Sequence, residues 1–304
     1  MRTGPDYIQF YPTLRCNRAC DFCFNQSMPF MEDMALSDFM KMLEFLERSS
    51  VKILDVIGGE PTMHPDIITF IGKARDRRLS VNISSNGSNL AVLGEIMKTG
   101  EAVTAGISIN DRETLEQVRY FIQTYKPVVK TVYSPGIDRG MIEEILSLQP
   151  KKFYLIYRDA LDEHGLHGTV PFSRFKAAVE QRFTPHQAGM VYCSGFLPDI
   201  EHYPELARAR CPAGTTKLGV MPDGSVYPCN LFFGKKEFLL GNILTDSFTS
   251  IWNHGRLKFF RTASGNVCPR KSCVLHAKCH GGCPAHSLFI TGDLAAPDPR
   301  CNHR

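Results

Sequence analysis

The first two-thirds of the chain alternate short β-like runs with amphipathic helical stretches, and this alternation restricts the fold more than any other feature. The helical pattern is clear after Ser37, where a capping residue precedes apolar residues at helical spacing. Repeated βα units of this length predict a parallel sheet with helices outside it. The predicted strands are Asp6–Tyr11, Lys52–Ile57, Ser80–Ser84, Ala105–Ile109, Val128–Tyr133 and Lys152–Tyr157.

Two α/β architectures are compatible with this alternation. Six βα units predict a partial (β/α)6 TIM-like barrel, with active-site residues at the C-terminal ends of the strands. An open doubly wound sheet fits the periodicity equally well. From about Pro185 the pattern changes, and we expect a β-hairpin over Thr216–Cys229 and one amphipathic helix over Phe248–Arg261. We therefore predict two domains, residues 1–190 and 191–304.

The cysteines mark the same two regions. The chain has eleven, of which three lie at 16–23, one is Cys193, and seven fall between 211 and 301. The sequence lacks the pattern of a secretory signal and any apolar run long enough to span a bilayer, so we expect a cytoplasmic protein. In a reducing compartment, clustered thiols are better explained as metal ligands than as disulfides. A net charge of +4, spread along the chain, gives no indication of nucleic-acid binding.

Cys16, Cys20 and Cys23 form a C-x3-C-x2-C pattern directly after the first predicted strand, and we call Cys16–Cys23 the cysteine loop. Thiolates select iron–sulfur clusters, zinc and other soft ions. Three thiolates on one loop can bind three irons of a 4Fe–4S cube and leave the fourth iron open. A structural zinc site usually has a fourth protein ligand. Spacing alone still leaves zinc binding or coincidence as alternatives.

The cysteine loop, with Phe22 before its last cysteine, resembles the cluster loop of the radical S-adenosylmethionine (radical SAM) superfamily. Gly58-Gly59-Glu60-Pro61 and Ser84-Ser85-Asn86-Gly87, at successive strand ends, resemble two further motifs of that family. The resemblance covers roughly residues 6–190. It implies that the open iron chelates S-adenosylmethionine, and that an electron from the cluster cleaves it to a 5′-deoxyadenosyl radical, which abstracts hydrogen from the substrate.

The same resemblance implies contacts with S-adenosylmethionine. Other roles stay open: loop packing for Phe22, an ordinary turn for Asn86-Gly87, and a surface charge for Arg158. Family members often have Asp where this chain has Asn110. The implied contacts are Phe22 with the adenine; Gly58, Gly59, Glu60 and Pro61 with the methionyl amino group; Ser85 and Asn86 along the cofactor; Ser108 and Asn110 with the ribose; and Arg158 with the cofactor carboxylate or the substrate.

The C-terminal cysteines resemble the SPASM extension of the same superfamily, which carries two auxiliary 4Fe–4S clusters. Two features depart from its pattern: four residues, not two, separate Cys268 from Cys273, and no second cysteine follows Cys211 closely. Cys193 is a candidate for the missing ligand, for a hydrogen-atom donor, or for a buried apolar residue. On spacing alone, zinc knuckles are an alternative. The resemblance implies one cluster on Cys211, Cys229 and Cys283 and another on Cys268, Cys273, Cys279 and Cys301.

These resemblances imply an enzyme that modifies a ribosomally made peptide or protein by cross-linking, epimerisation or oxidation. Alternatives are radical chemistry on a small metabolite, as in cofactor or haem-type biosynthesis, and a non-enzymatic multi-cluster electron carrier. Asn230 stands where the sulfatase-maturating branch has an Asp proposed as base, and an amide cannot act as one. The first strand begins close to Met1, so we expect a separate peptide-presenting protein or a small substrate. A flavodoxin- or ferredoxin-type reductant is also expected.

Overall fold

The computed structural model describes residues 4–181, 189–191, 201–262 and 268–301, and Cys193 lies outside them. Within these residues ten strands form one sheet in the order β10-β9-β8-β1-β2-β3-β4-β5-β6-β7. The strands are β1 (Tyr7–Phe10), β2 (Ile53–Val56), β3 (Ser80–Ser85), β4 (Val103–Ser108), β5 (Val128–Val132), β6 (Lys152–Ile156), β7 (Gly189–Val191), β8 (Lys217–Val220), β9 (Ser225–Tyr227) and β10 (Gly241–Asn242).

Strands β1 to β7 are all parallel to their neighbours, and the sheet ends at β7 on one side and β10 on the other. The prediction of an unclosed, barrel-like α/β fold is therefore confirmed, with a seventh parallel strand that the sequence did not indicate. The helices are α1 (Leu36–Glu47), α2 (Ile67–Asp76), α3 (Leu90–Lys98), α4 (Arg112–Tyr125), α5 (Arg139–Ser147), α6 (Glu163–His167), α7 (Phe172–Glu180), α8 (Phe248–Trp252), α9 (Leu257–Phe260), α10 (His276–Cys279) and α11 (Pro284–Thr291).

The main core lies between the sheet and the helices that connect its parallel strands. On α1 the buried residues are Phe39, Met42, Leu43 and Leu46, which recur at helical spacing. The rings of Phe39 and Phe70 stack with their centroids 4.0 Å apart. Burial of each such side chain contributes about 1.5–3 kcal/mol. Successive strand residues point to opposite faces, so polar residues of the same strands face away from these helices.

The C-terminal region, residues 191–304, extends the same sheet. The predicted hairpin is present as β8 and β9, which turn at Asp223-Gly224. Strand β8 pairs in parallel with β1, from Tyr7 opposite Lys217 to Phe10 opposite Val220. This pairing joins the two predicted domains through a shared sheet; their boundary at residue 190 stays a prediction.

The single helix predicted over Phe248–Arg261 is wrong, because α8 ends at Trp252 and α9 begins at Leu257. Gly255 lies between them, and glycine disfavours the helix interior by about 1 kcal/mol relative to alanine. Among the described residues, no helix is both long and apolar enough to cross a bilayer.

Candidate active site

The backbone that leads into the cysteine loop lies against the two glycines that follow β2. The N–H of Gly59 donates to the carbonyl of Thr13 at 3.1 Å, and the N–H of Glu60 donates to that of Arg15 at 2.7 Å. A Cβ on Gly58 would lie 2.6 Å from the Thr13 oxygen, and one on Gly59 would lie 2.1 Å from the Arg15 oxygen. Both obstacles are backbone atoms, so glycine is required where this loop crosses the end of β2.

Glu60 joins the ends of β2 and β3. Its buried carboxylate accepts bonds at Oε1 from the N–H (3.1 Å) and hydroxyl (2.6 Å) of Thr62 and from the Ser85 hydroxyl (2.9 Å). Oε2 accepts from the N–H of Asn86 at 2.6 Å. Pro61 then begins a short 3-10 turn that Glu60 caps. These bonds give Glu60 a structural role, and its contact with the cofactor's amino group stays a prediction.

Asn86 connects the end of β3 to the cysteine loop. Its Nδ2 lies 3.8 Å from the Sγ of Cys16 and donates to Oδ1 of Asn17 at 2.9 Å. Gly87 follows with φ of +78° and could not carry a Cβ, which would lie 2.7 Å from Val118. The structure therefore brings two motifs that are 70 residues apart in sequence into direct contact.

The three thiols of the cysteine loop differ in their exposure to solvent. Cys16 is exposed, whereas Cys20 and Cys23 are partly buried. Burial raises the pKa of Cys20 and of Cys23, and the neighbouring thiols of the loop raise it further. Within the described parts of the chain, no three Cys, His, Asp or Glu side chains are arranged as ligands of a single metal ion. Assignment of a cluster to these three cysteines stays a prediction.

Arg158, which follows β6, is directed at the cysteine loop. Its Nη1 lies 3.3 Å from the carboxylate of Asp21, and its Nη2 donates to the Asp21 carbonyl at 3.3 Å. Gly168 leaves the space for this side chain, because a Cβ there would lie 2.7 Å from the guanidinium carbon. Arg158 is 9% exposed, so the interpretation as a solvated surface charge is wrong.

Ser108 and Asn110 lie at the end of β4, as predicted. Oδ1 of Asn110 accepts the N–H of Val132 at 2.8 Å, so this amide fixes the backbone of the next strand. Both residues are partly exposed at the edge of the sheet where β2 and β3 also end. Their ribose contacts stay predictions.

Two charged residues inside the sheet, Lys130 and Asp55, were not predicted from the sequence. Lys130 of β5 crosses over Gly106 and donates to the hydroxyl of Ser84 at 2.6 Å. Asp55 of β2 accepts from the hydroxyl of Tyr7. Burial raises the pKa of Asp55 and lowers that of Lys130. The sequence did contain an indication of this pair, because each residue is the one charged residue of an otherwise largely apolar strand.

The assignment of the C-terminal cysteines to two groups of cluster ligands stays a prediction, and the structure shows how far each thiol is buried. Cys211, Cys229 and Cys283 are buried in the core of the region. Burial raises the pKa of Cys279 to about 12, and Cys301 and Cys268 lie close enough to raise it further. No disulfide joins any two of the ten described cysteines, which are Cys16, Cys20, Cys23, Cys211, Cys229, Cys268, Cys273, Cys279, Cys283 and Cys301.

Unpartnered polar atoms lie among these thiols and fit a missing ionic group. Within the described residues, Nε and Nη1 of Arg210 and Nε2 of His276 and His280 are buried without a hydrogen-bond partner. A buried donor normally has a partner, and a buried charge normally has a counter-charge. Anionic, thiolate-bound clusters would supply both, so the residues present fit auxiliary iron–sulfur clusters.

A cleft of about 420 Å³ opens beside the cysteine loop, between β6 and the C-terminal region. It places aromatic walls and a mixed polar rim next to the Cys23 thiol. Phe22 contributes to these walls, and its contact with an adenine stays a prediction. The lining of the cleft includes Phe22, Cys23, Phe24, Arg158, Asp162, His164, Phe233, Lys235 and Phe289.

Two family models match the chain. The model of the radical SAM superfamily matches residues 10–140, and that of the iron–sulfur cluster-binding SPASM domain matches residues 211–284. The first match contains the cysteine loop, both glycine motifs and the ends of β2, β3 and β4. The second contains six of the seven C-terminal cysteines, all except Cys301.

Individual proteins resemble the chain along most of its length. AlbA, an antilisterial bacteriocin subtilosin biosynthesis protein of Bacillus subtilis, is 26% identical over 92% of this chain and 67% of its own. A cofactor-modifying protein for a tungsten-containing aldehyde ferredoxin oxidoreductase, from Pyrococcus furiosus, is 24% identical over 86% of this chain and 84% of its own. The structure of SuiB from Streptococcus suis bound to S-adenosylmethionine superimposes with a TM-score of 0.75 at 18% identity, covering 99% of this chain and 78% of that one.

Proposed function

The chain belongs to the radical SAM superfamily and carries its SPASM domain, and from this premise we propose that the enzyme modifies a ribosomally made peptide or protein. The modification would be a cross-link, an epimerisation or an oxidation. Its cofactors are S-adenosylmethionine and 4Fe–4S clusters, one catalytic and two auxiliary in this proposal. When bound, the catalytic cluster supplies the electron that cleaves S-adenosylmethionine to the 5′-deoxyadenosyl radical.

The protein's own residues position these groups. In this proposal Cys16, Cys20 and Cys23 hold the catalytic cluster, and Gly58 and Gly59 set the height of their loop above the sheet. In this proposal Glu60 and Pro61, which follow these glycines, lie next to the methionyl amino group. Polar side chains along the neighbouring strand ends then bind and orient the nucleoside: Ser85, Asn86, Ser108 and Asn110.

The observation that carries the peptide proposal is the cleft beside Cys23. Aromatic walls from Phe22, Phe24 and Phe233 can bind an apolar or aromatic side chain. The rim charges can contact peptide groups on either side. Because residues of the C-terminal region line the cleft together with Cys23, a peptide bound there would have one residue held near the radical. AlbA, which serves bacteriocin biosynthesis, supports this substrate class.

A second candidate is radical chemistry on a small metabolite or cofactor, favoured by the cofactor-modifying relative from Pyrococcus furiosus. The two candidates differ in what stimulates turnover. If the main proposal is correct, a peptide encoded next to the gene should stimulate turnover. If the alternative is correct, a metabolite from the same pathway should stimulate it instead.

The test uses anaerobically prepared protein with a one-electron reductant and S-adenosylmethionine. We expect 5′-deoxyadenosine, and a mass change in a candidate precursor peptide. About twelve irons per chain are expected for three cubane clusters, falling by about four when Cys16, Cys20 and Cys23 are all replaced by Ala. That variant should form no 5′-deoxyadenosine. Zinc in place of iron, or 5′-deoxyadenosine from the triple variant, would refute the cluster assignment.

The proposal includes partners and a location. The reductant would be a flavodoxin or ferredoxin, and a separate protein would present the peptide. We place the enzyme in the cytoplasm, where thiols stay reduced and available to iron. A pull-down from anaerobic lysate with tagged, cluster-loaded enzyme should recover the reductant, and omitting that reductant from the purified system should stop turnover.

A further inference from the structure

Arg210 is a fully buried cation with incomplete bonding. It directly precedes Cys211, and its side chain is 0% exposed. Nη2 donates to the carbonyl of Ala296 at 3.1 Å. Nε and Nη1 have no partner within the described residues. Burial of an uncompensated guanidinium is strongly unfavourable, so this position calls for an anion next to these two nitrogens.

Three thiols, one carboxylate and one aromatic ring lie near Arg210. Cys211, Cys279 and Cys283 lie close enough to act on its charge, and the ring of Phe259 lies 5.8 Å from its guanidinium carbon. Asp298 is also near, but its carboxylate is bonded to Arg300 at 3.1 and 2.9 Å. Neutral thiols bring no counter-charge, whereas cluster-bound thiolates and sulfides do.

The bonding of Arg210 differs from that of Arg300 and Arg261 in the same region. Arg300 uses Nε, Nη1 and Nη2 on the Asp298 carboxylate and the Arg158 carbonyl. Arg261 donates through Nε to the carbonyl of Gly214 and through Nη2 to that of Trp252, each at 2.7 Å. Within the described part of residues 191–304, Arg210 is the arginine whose buried nitrogens lack a hydrogen-bond partner.

We propose that Arg210 is a charge-compensating residue placed between the two auxiliary clusters, where it donates hydrogen bonds to cluster sulfur and raises the reduction potential. This inference rests on the proposed auxiliary clusters. Cys211 and Cys283 belong to one predicted group and Cys279 to the other, so one guanidinium serves both. Reduction adds one electron, from the external reductant, to a buried anionic group. A fixed positive charge and N–H donors stabilise that added charge.

The test is a redox titration of cluster-loaded protein, followed by electron paramagnetic resonance. In R210M, at least one auxiliary cluster should become about tenfold harder to reduce, which for a one-electron couple is a fall of about 59 mV. R210K keeps the charge but loses the planar fork, and we expect a smaller shift. The catalytic cluster serves as an internal reference, and R261M is the matched control with an arginine bonded only to carbonyls.

Unchanged potentials in a fully loaded R210M protein would overturn the inference while leaving the proposed function intact. Wild-type protein with only about four irons would overturn the auxiliary clusters, and this inference with them. If R210M fails to bind an auxiliary cluster, its potential cannot be measured, and the iron content of R210K is compared instead. If R210K binds its auxiliary clusters normally, the positive charge of residue 210 is what matters. If R210M and R210K both fail to bind an auxiliary cluster while R261M binds its clusters normally, residue 210 acts through packing and the inference is overturned.

Discussion

Arg158, which directly follows β6, holds Asp21 of the cysteine loop through both terminal nitrogens. One nitrogen lies 3.3 Å from the Asp21 carboxylate and the other 3.3 Å from its carbonyl. The carbonyl of Arg158 accepts Nη1 of Arg300 at 3.0 Å. Since Arg300 directly precedes Cys301, one residue links the candidate catalytic loop to a predicted auxiliary ligand. The C-terminal region thus contacts the residue that holds the cysteine loop, and it also contributes residues to the lining of the cleft.

We expect R158A to release the cysteine loop on that side. Because Asp21 is largely exposed, the pair contributes at most about 1 kcal/mol, equivalent to about a two- to fivefold faster loss of the catalytic cluster to a chelator. D21A should have a smaller effect, because the bond from Arg158 to the Asp21 carbonyl remains, and the double variant should lose iron no faster than R158A. Fully additive rates would show that the two residues act separately.

We expect G59A to displace the cysteine loop, because its Cβ would overlap the Arg15 carbonyl at 2.1 Å. The variant should lose about four irons and form no 5′-deoxyadenosine, while the auxiliary signals persist. The control is G72A on α2, where a Cβ meets nothing within 4 Å. It should keep full activity and gain up to about 1 kcal/mol of stability. An active G59A protein with full iron would contradict this prediction.

We expect E60Q to destabilise the protein. The carboxylate accepts bonds only from donors on Thr62, Ser85 and Asn86, so an amide NH2 would face another donor in a buried site. Such a mismatch costs about 1–3 kcal/mol. Urea unfolding under anaerobic conditions measures the loss. The control is E47Q, at an exposed glutamate paired with Arg77, which should change the free energy of unfolding by less than about 1 kcal/mol. Equal losses of stability in E60Q and E47Q would contradict the prediction.

We expect Y7F to leave the Asp55 carboxylate without its hydroxyl donor. Asp55 is buried, and a hydrogen bond to a charged group contributes about 1.5–3 kcal/mol. In a D55N background the same change should cost less, because a neutral amide tolerates the loss of the hydroxyl better. Urea midpoints of the four proteins give the coupling between the two residues. Equal costs of Y7F in both backgrounds would contradict it.

Much of the fold was predictable because it depends on local patterns. The six predicted strands are all present, and so is the hairpin at Asp223-Gly224. Strand β7 was missed because Gly189–Val191 is too short to show a period. The break at Gly255 was missed because the apolar spacing of Phe248–Arg261 continues across it, and residues on either side of the break still face one core.

The roles of individual site residues were less predictable. Glu60 and Arg158 were recognised as site residues, but their partners Ser85 and Asp21 lie 25 and 137 positions away in the sequence. No local period reports such contacts. Arg210 was missed entirely, since a charged residue next to a cysteine is ordinary in sequence and becomes unusual only when its burial is known.

The sequence by itself determined the chemistry available: three thiols after the first strand, glycines at the next strand end, and seven cysteines between residues 211 and 301. It also determined the α/β class, because apolar periodicity and turn residues act over short distances. Only the tertiary structure decided that β8 extends the sheet at β1 and that Arg158 bonds Asp21 in the cysteine loop. The same holds for the position of Arg210 among the C-terminal thiols. Those relationships arise from long-range packing, where burial and distance set which charges meet.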